Sequence, residues 1–278
     1  MFLVLIVCVQ EKSKLVIKLE SLKIYNMKID LNADLGESFG NFKMGNDAEI
    51  IKYVTSASIA CGFHGGDPLT IQNTVKLALE HNVSIGAHPG YDDLKGFGRR
   101  SIKISDEDLY AMILYQVGAL KAITNALGGK LYHVKPHGAL YNDLANSLPK
   151  AKIVAEAIYK IDPELIFVGL SNSEIQHAAR EIGLKSACEV FADRAYNDDG
   201  SLVARHRYGA VFGDGEACMN QVKQIIKEKS VTSINGNSVD MCVDTIGIQA
   251  DNQSAINFAE NFHQYLKQEK IQLKSFLK

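Results

Sequence analysis

Short β-branched runs alternate along this chain with longer segments of helical character. That rhythm predicts βα units around a mostly parallel sheet. Strands are expected at 28–33, 56–60, 83–87, 131–135, 165–169, 187–191 and within 240–248. Helices are expected at 47–54, 68–81, 106–127, 148–161, 173–182, 216–228 and 253–268. Local chemistry marks several ends. Asp67 precedes Pro68, an N-cap followed by proline at the first helical position. Ser105 caps the long helix, with Asp108 in place of the usual Glu of a capping box, and Gly128-Gly129 closes it. No linker, repeat or low-complexity stretch divides the chain. Residues 27–278 therefore read as a single α/β domain, a parallel (β/α) barrel of about seven strands. Residues 1–26 read as an N-terminal extension outside it. Their apolar start (MFLVLIVCV) is followed, not preceded, by Lys12, Lys14 and Lys18, the reverse of a secretory signal.

The predicted strand ends are unusually polar. Asp30, Asn32 and Asp34 alternate with Ile29, Leu31 and Ala33, so the three polar residues share one face. Glu37 follows. The second strand runs into Cys61-Gly-Phe-His64-Gly-Gly-Asp67, the third into His88-Pro-Gly, the fourth into Lys135-Pro-His137-Gly. The sixth gives Glu189, Asp193 and Arg194, and the last gives Gln249 and Asp251. In a parallel barrel these ends lie together, at the face where chemistry is built. His64 and His88 are the best candidates for proton transfer or, with Asp30, for a divalent metal ion. Lys135 needs an anionic partner, a substrate anion or a carboxylate such as Asp30, Asp34 or Glu189. Arg99 and Arg100, in a glycine-punctuated loop, suit carboxylates or phosphates.

Composition narrows the function. The chain has 278 residues, with 30 basic and 32 acidic side chains, so neither nucleic acid nor an anionic membrane is an expected partner. No run approaches the roughly 20 apolar residues of a membrane span. Five scattered cysteines without a CxxC pair fit reduced thiols in the cytoplasm. Cys61 reads as a buried thiol rather than a nucleophile. Neither GxxxxGK[ST] nor GxSxG occurs, which removes ordinary Walker-type ATP binding and the hydrolase nucleophile elbow.

The strings DLNADLGES (30–38), IACGFHGGDP (59–68), GAHPGY (86–91), GFGRR (96–100), YQVGAL (115–120), HVKPHGALYN (133–142), EVFADRAY (189–196) and DGSLVAR (199–205) resemble the LamB/YcsF family, the A subunits of 5-oxoprolinase. The resemblance covers about residues 27–270 in order. It implies a distorted TIM-like barrel related to glycoside hydrolase and deacetylase domains. It also implies ATP-dependent cleavage of 5-oxoproline to glutamate in the cytoplasm, with subunits B and C as partners. The chain departs from the family pattern at Ala33, Ser58 and Gln249, the last in place of a His. Gln cannot move a proton near neutrality.

A lactam is a poor electrophile. ATP, with Mg²⁺ as the possible metal, would activate its oxygen by phosphorylation, and water would then attack the carbon. Asp30, Asp34 or His64 is the expected base or metal ligand. Lys135, Arg99 and Arg100 are the expected anion contacts, with Asn32 and Glu37 beside them. His88 and His137 would position or protonate the leaving nitrogen, while Glu189 and Asp193 orient Lys135 or Arg194. Two other readings stay open: a metal-dependent deacetylase-like amidohydrolase, and a non-catalytic 5-oxoproline-binding subunit.

Overall fold

The computed structural model describes residues 28–248 and 253–275. The extension at 1–26 and residues Gln249 and Asp251 lie outside the described residues. The strands are β1 (Lys28–Leu35), β2 (Ser56–Ala60), β3 (Ser84–His88), β4 (Leu131–Val134), β5 (Ile166–Leu170) and β6 (Lys185–Phe191), then β7 (Ser230–Thr232), β8 (Ser238–Asp240), β9 (Thr245–Ile248) and β10 (Gln272–Leu273). Strands β1 to β6 pair in sequence order, all parallel, and β9 closes the ring between β6 and β1. The result is the expected seven-stranded parallel barrel. β10 adds a short parallel pairing to the start of β1.

The helices are α1 (Asp47–Ile50), α2 (Pro68–Glu80), α3 (Asp106–Ala126), α4 (Gly138–Ala145), α5 (Leu148–Ile161), α6 (Glu174–Ile182), α7 (Gly215–Glu228) and α8 (Gln253–Gln268). Their caps follow the sequence. Asp67 accepts from Thr70 N at 2.8 Å, and Ser105 accepts from Asp108 N at 3.0 Å. Ser173 and Gln176 form a full capping box.

Alternation along the strands sorts the side chains into two environments. Leu31, Ala33, Leu35, Ile59, Ile85, Val134, Val190 and Ile246 are buried in the main hydrophobic core, with helix residues such as Val75, Ile113, Val154 and Ile225. Each such Leu or Ile contributes about 1.5–3 kcal/mol by leaving water. The alternate positions join Asp30, Asn32, Glu189 and Thr245 in one hydrogen-bonded group and set Ser58 against His133, all at most 2% exposed. Stability thus comes from the layer between strands and helices, and the interior is polar. Buried polar groups must satisfy one another, and that need organises the site.

The strand expected within 240–248 is β9, the last four residues of that run. Cys242 N donates to Ser171 Oγ at 2.9 Å and Asp244 N to the Cys188 carbonyl at 2.9 Å. These bonds bend the chain away from the ladder, so β8 joins a hairpin with β7 and only β9 enters the barrel. Helix α4 follows β4 directly and is not among the helices expected from the sequence. Gly138 supplies the turn with φ +55° and the helix starts from it. The helix expected at 47–54 is the single turn α1.

Candidate active site

Lys135 leaves the end of β4 and points into the barrel mouth, 2% exposed. Its Nζ donates to Asn32 Oδ1 at 2.7 Å and to Glu189 Oε1 at 2.9 Å, and stands 2.7 Å from Asp34 Oδ1. Burial alone would lower the lysine pKa. The charges of Asp34 and Glu189 outweigh it, and the net shift is upward. Burial alone would likewise raise Asp34. His88 and Lys135 outweigh that, and its carboxyl sits well below the usual range. The network continues inward. Asn32 Nδ2 donates to Glu189 Oε1 at 3.0 Å and to Thr245 Oγ1 at 2.7 Å, and Tyr141 OH donates to Glu189 Oε2 at 2.8 Å.

Beside this network stand three histidines. His64 and His137 stack with ring centroids 3.7 Å apart and planes within 5°. His88 meets both edge-on. His88 Nδ1 lies 2.6 Å from the Lys135 carbonyl, and His137 Nε2 lies 2.8 Å from the Phe97 carbonyl. The remaining nitrogens, His88 Nε2 and His137 Nδ1, face each other at 3.0 Å. Asp34 Oδ2 is 3.3 Å from His88 Nε2. Glu37 Oε1 is 3.1 Å from His64 Nε2 and 3.5 Å from His137 Nδ1. Burial and the neighbouring histidine charges push His137 down. Burial first, then His88, does the same to His64. Glu37 is raised by burial, against the opposing effect of His137. The loops are tied to hold this geometry: His137 N donates to Pro89 O at 2.8 Å and Ala139 N to Gly98 O at 2.9 Å.

A cavity of about 130 Å³ opens over these groups, room for a small ligand. Its wall includes Asp34, Glu37, His88, Lys135, His137 and Glu189, together with Arg99, Arg194 and Arg205. Phe97 and Phe191 give it apolar sides, and the Arg99 guanidinium lies 5.0 Å from the Phe97 ring centroid.

Most of the expected residues therefore meet. Asp34, Glu37, His88, Lys135, His137, Glu189, Arg99 and Arg194 line one cavity, with Asn32 and His64 packed behind them. Asp30 does not reach it. It lies deeper in the barrel, where Thr55, Ser56 and Thr245 hydroxyls donate to its carboxylate at 2.6, 2.8 and 2.5 Å. Burial raises its pKa to about 6 despite those donors. The expected metal set of Asp30, His64 and His88 thus keeps two members, with Glu37 and His137 near them in place of Asp30. Arg100 pairs with Asp93 and its side chain is 66% exposed, away from the cavity wall. Arg194 turns its guanidinium to the carbonyls of Val203 and Ala210, so it clips the loop beyond β6. Asp193 also lies off the wall. Cys61 is a buried free thiol raised to about 12 by burial, as read from sequence. Tyr141 and Arg205 were not singled out in advance, although both sit in the quoted strings HVKPHGALYN and DGSLVAR.

The LamB/YcsF family model matches residues 29–278. The chain belongs to the LamB/YcsF family. A relative from Pyrococcus horikoshii, named as the A subunit of 5-oxoprolinase, is 51% identical over 247 residues, 89% of this chain and 97% of that one. The protein of the same name from Clostridium beijerinckii is 50% identical over 246 residues, 88% of this chain and 96% of that one. The crystal structure of the lactam utilization protein from Thermus thermophilus superposes with a TM-score of 0.85 at 41% identity, covering 90% of this chain and 100% of that one. The seven-stranded barrel is therefore the family fold. Among the described residues, no helix is long and apolar enough to cross a membrane.

Proposed function

We propose that this chain is the A subunit of an ATP-dependent 5-oxoprolinase and that its cavity is where the lactam ring of 5-oxoproline opens. The observation that carries the reading is the cavity itself. It joins carboxylates, imidazoles and guanidinium groups around a small space, in a chain half identical to proteins named for that activity.

The substrate offers one carboxylate and one lactam. Arg99 and Arg205 stand on the cavity wall and suit the carboxylate, since the guanidinium fork matches it in two parallel hydrogen bonds. ATP, as co-substrate, would transfer its terminal phosphoryl group to the lactam oxygen and leave ADP. Water then adds to the activated carbon, the C–N bond breaks as the nitrogen gains a proton, and a second water hydrolyses the resulting acyl phosphate to the glutamate carboxylate and phosphate. Asp34 faces the cavity and is the group placed to take the proton from water and to return one to nitrogen. His88 and His137, on the same wall, are placed to position the leaving nitrogen. Lys135 has a different role from the anion contact first expected. Asn32, Asp34 and Glu189 already surround it, so it holds Asp34 ionised and fixed.

The partners in this reading are subunits B and C. The test is glutamate release from 5-oxoproline by the purified chain, alone and with B and C, with and without ATP. ATP-dependent release in the complete set supports the reading. Release by this chain alone without ATP would replace it with a simple amidohydrolase. No release in any mixture containing competent partners would leave a protein that only binds 5-oxoproline.

A further inference from the structure

The two facing ring nitrogens at the cavity floor pose a bonding problem. His88 Nδ1 and His137 Nε2 each point at a backbone carbonyl, at 2.6 and 2.8 Å. A carbonyl only accepts, so both nitrogens must carry hydrogen. In the neutral rings His88 Nε2 and His137 Nδ1 are then bare lone pairs, yet they stand 3.0 Å apart. Their other neighbours are acceptors as well: Asp34 Oδ2 at 3.3 Å from the first and Glu37 Oε1 at 3.5 Å from the second. Lone pairs this close are stable only around something positive.

We propose that Glu37, His88 and His137 hold a divalent transition-metal ion of the zinc, cobalt or manganese class at the floor of the cavity. His64 packs face to face on His137, and since an imidazole binds an ion in its own plane, it supports the site rather than joining it. One ligand atom from each of the three donors lies within 4.8 Å of the others. The spacings between neighbouring donors are those of a coordination shell. Donors about 2.0–2.2 Å from a shared ion stand about 3.0–3.5 Å from one another in tetrahedral or octahedral arrangements. The observed separations are 3.0 Å (His88 to His137) and 3.5 Å (His137 to Glu37). The outer hydrogen bonds fit too. A metal-binding imidazole characteristically gives its second N–H to a carbonyl or carboxylate, which fixes tautomer and ring orientation. His88 and His137 both do so. Imidazole nitrogens with one carboxylate suit zinc, cobalt or manganese better than calcium or magnesium.

All three donors also line the cavity, so the ion would meet a bound ligand. If the proposed function holds, that ligand is the lactam, and the ion supplies Lewis-acid polarisation there. The site itself does not depend on that reading.

The test uses the untagged full-length chain, stripped with chelator and titrated with Co²⁺ in the absence of 5-oxoproline and ATP. The expected result is one cobalt per chain with a visible absorption band, displaced by Zn²⁺. Binding should weaken at least tenfold in His88→Ala and in His137→Gln, with exposed His177→Ala (54% side-chain exposure) unchanged. Imidazole ¹⁵N spectra of the unmutated chain guard against variants that misfold: His88 and His137 must shift on adding Zn²⁺. A chain that takes up no cobalt, or imidazole signals that ignore zinc and show a shared proton instead, overturns the site. Glutamate release is a separate readout, so loss of the metal site leaves the lactam reading to its own assay.

Discussion

Lys135→Met removes a buried cation and keeps most of its length. Glu189, fully buried, then keeps hydrogen bonds from Asn32 and Tyr141 but loses its ion pair. Asp34 loses the ammonium 2.7 Å away. Removing one member of a buried ion pair costs about 3–5 kcal/mol, because the other charge stays buried without compensation. Against a typical stability of about 5–15 kcal/mol, the variant should fold yet lose a large part of its margin. Two further results should follow if stranded charge is the cause. Adding Glu189→Gln should return part of the loss, at least about 1.4 kcal/mol, a tenfold change in the folding equilibrium. Acid should also narrow the gap to wild type, since protonating the stranded carboxylates removes their charge. Urea unfolding followed by circular dichroism at pH 7.5 and 5.5 measures both. Turnover in the assembled complex should vanish. A Lys135→Met chain as stable as wild type at both pH values, or a Glu189→Gln change that adds its full cost on top, would refute the reasoning. Unchanged turnover would remove Lys135 from the machinery.

Arg99 and Arg100 are adjacent but should behave differently. Arg99→Ala forfeits a charge-assisted contact of about 1.5–3 kcal/mol and should raise KM for 5-oxoproline roughly tenfold to a hundredfold, whereas Arg100→Ala, an exposed partner of Asp93, should leave steady-state kinetics within about twofold. Asp30 titrates at about 6 in the fold against its ordinary 3.8. The folded chain therefore holds that proton more tightly than the unfolded one, and this group's contribution to stability falls as pH rises from about 4 through 6. Asp30→Asn should flatten that stretch of the stability–pH curve, and an unaltered slope would count against the buried assignment. Gly98 has φ +60°, and a Cβ there would come within 2.7 Å of His64 and 2.8 Å of His137. Gly98→Ala should cost about 1–2 kcal/mol in backbone strain and lower kcat, with retention of full activity as the contrary result.

The barrel was legible because the strand and helix periods alternate cleanly, and because caps such as Asp67 and Ser105 mark helix starts by local chemistry. What was less legible has a common cause. A strand was expected within 240–248 and is there as β9, but the split of that run between β8 and β9 was not expected. The split depends on Ser171 and Cys188, about 60–70 residues away in sequence, which draw off the backbone N–H groups of Cys242 and Asp244. No local pattern carries that. Asp30 shows the same limit in the site. Its alternation with Asn32 and Asp34 correctly put all three on one face, but depth along the strand is set by hydroxyl partners from β2, β9 and Thr55. The face was readable, and the layer was not. Glu37 and Arg205 lie in loops beyond strand ends, where the period gives no direction.

The polar interior also explains several small residues that helix or strand propensity would not choose. A Cβ on Gly86 would overlap the His133 ring, and one on Gly247 would come within 2.6 Å of Glu189 Oε1. These glycines are the space into which a neighbouring strand's histidine and carboxylate extend. A barrel of this size normally fills its interior with layers of branched apolar side chains. Here the layers are Asp30 with its hydroxyls, then Asn32, Thr245, Glu189 and Lys135, and then the histidines at the mouth. Each layer donates to or accepts from the next, so Lys135 is fixed from below by Asn32 and Glu189 and presents Asp34 above. Rigidity at the mouth is thus inherited from groups that no substrate touches. A change as deep as Thr245→Val deletes the hydroxyl that links Asn32 to Asp30, and the physics of a connected network requires its effect to surface at Lys135.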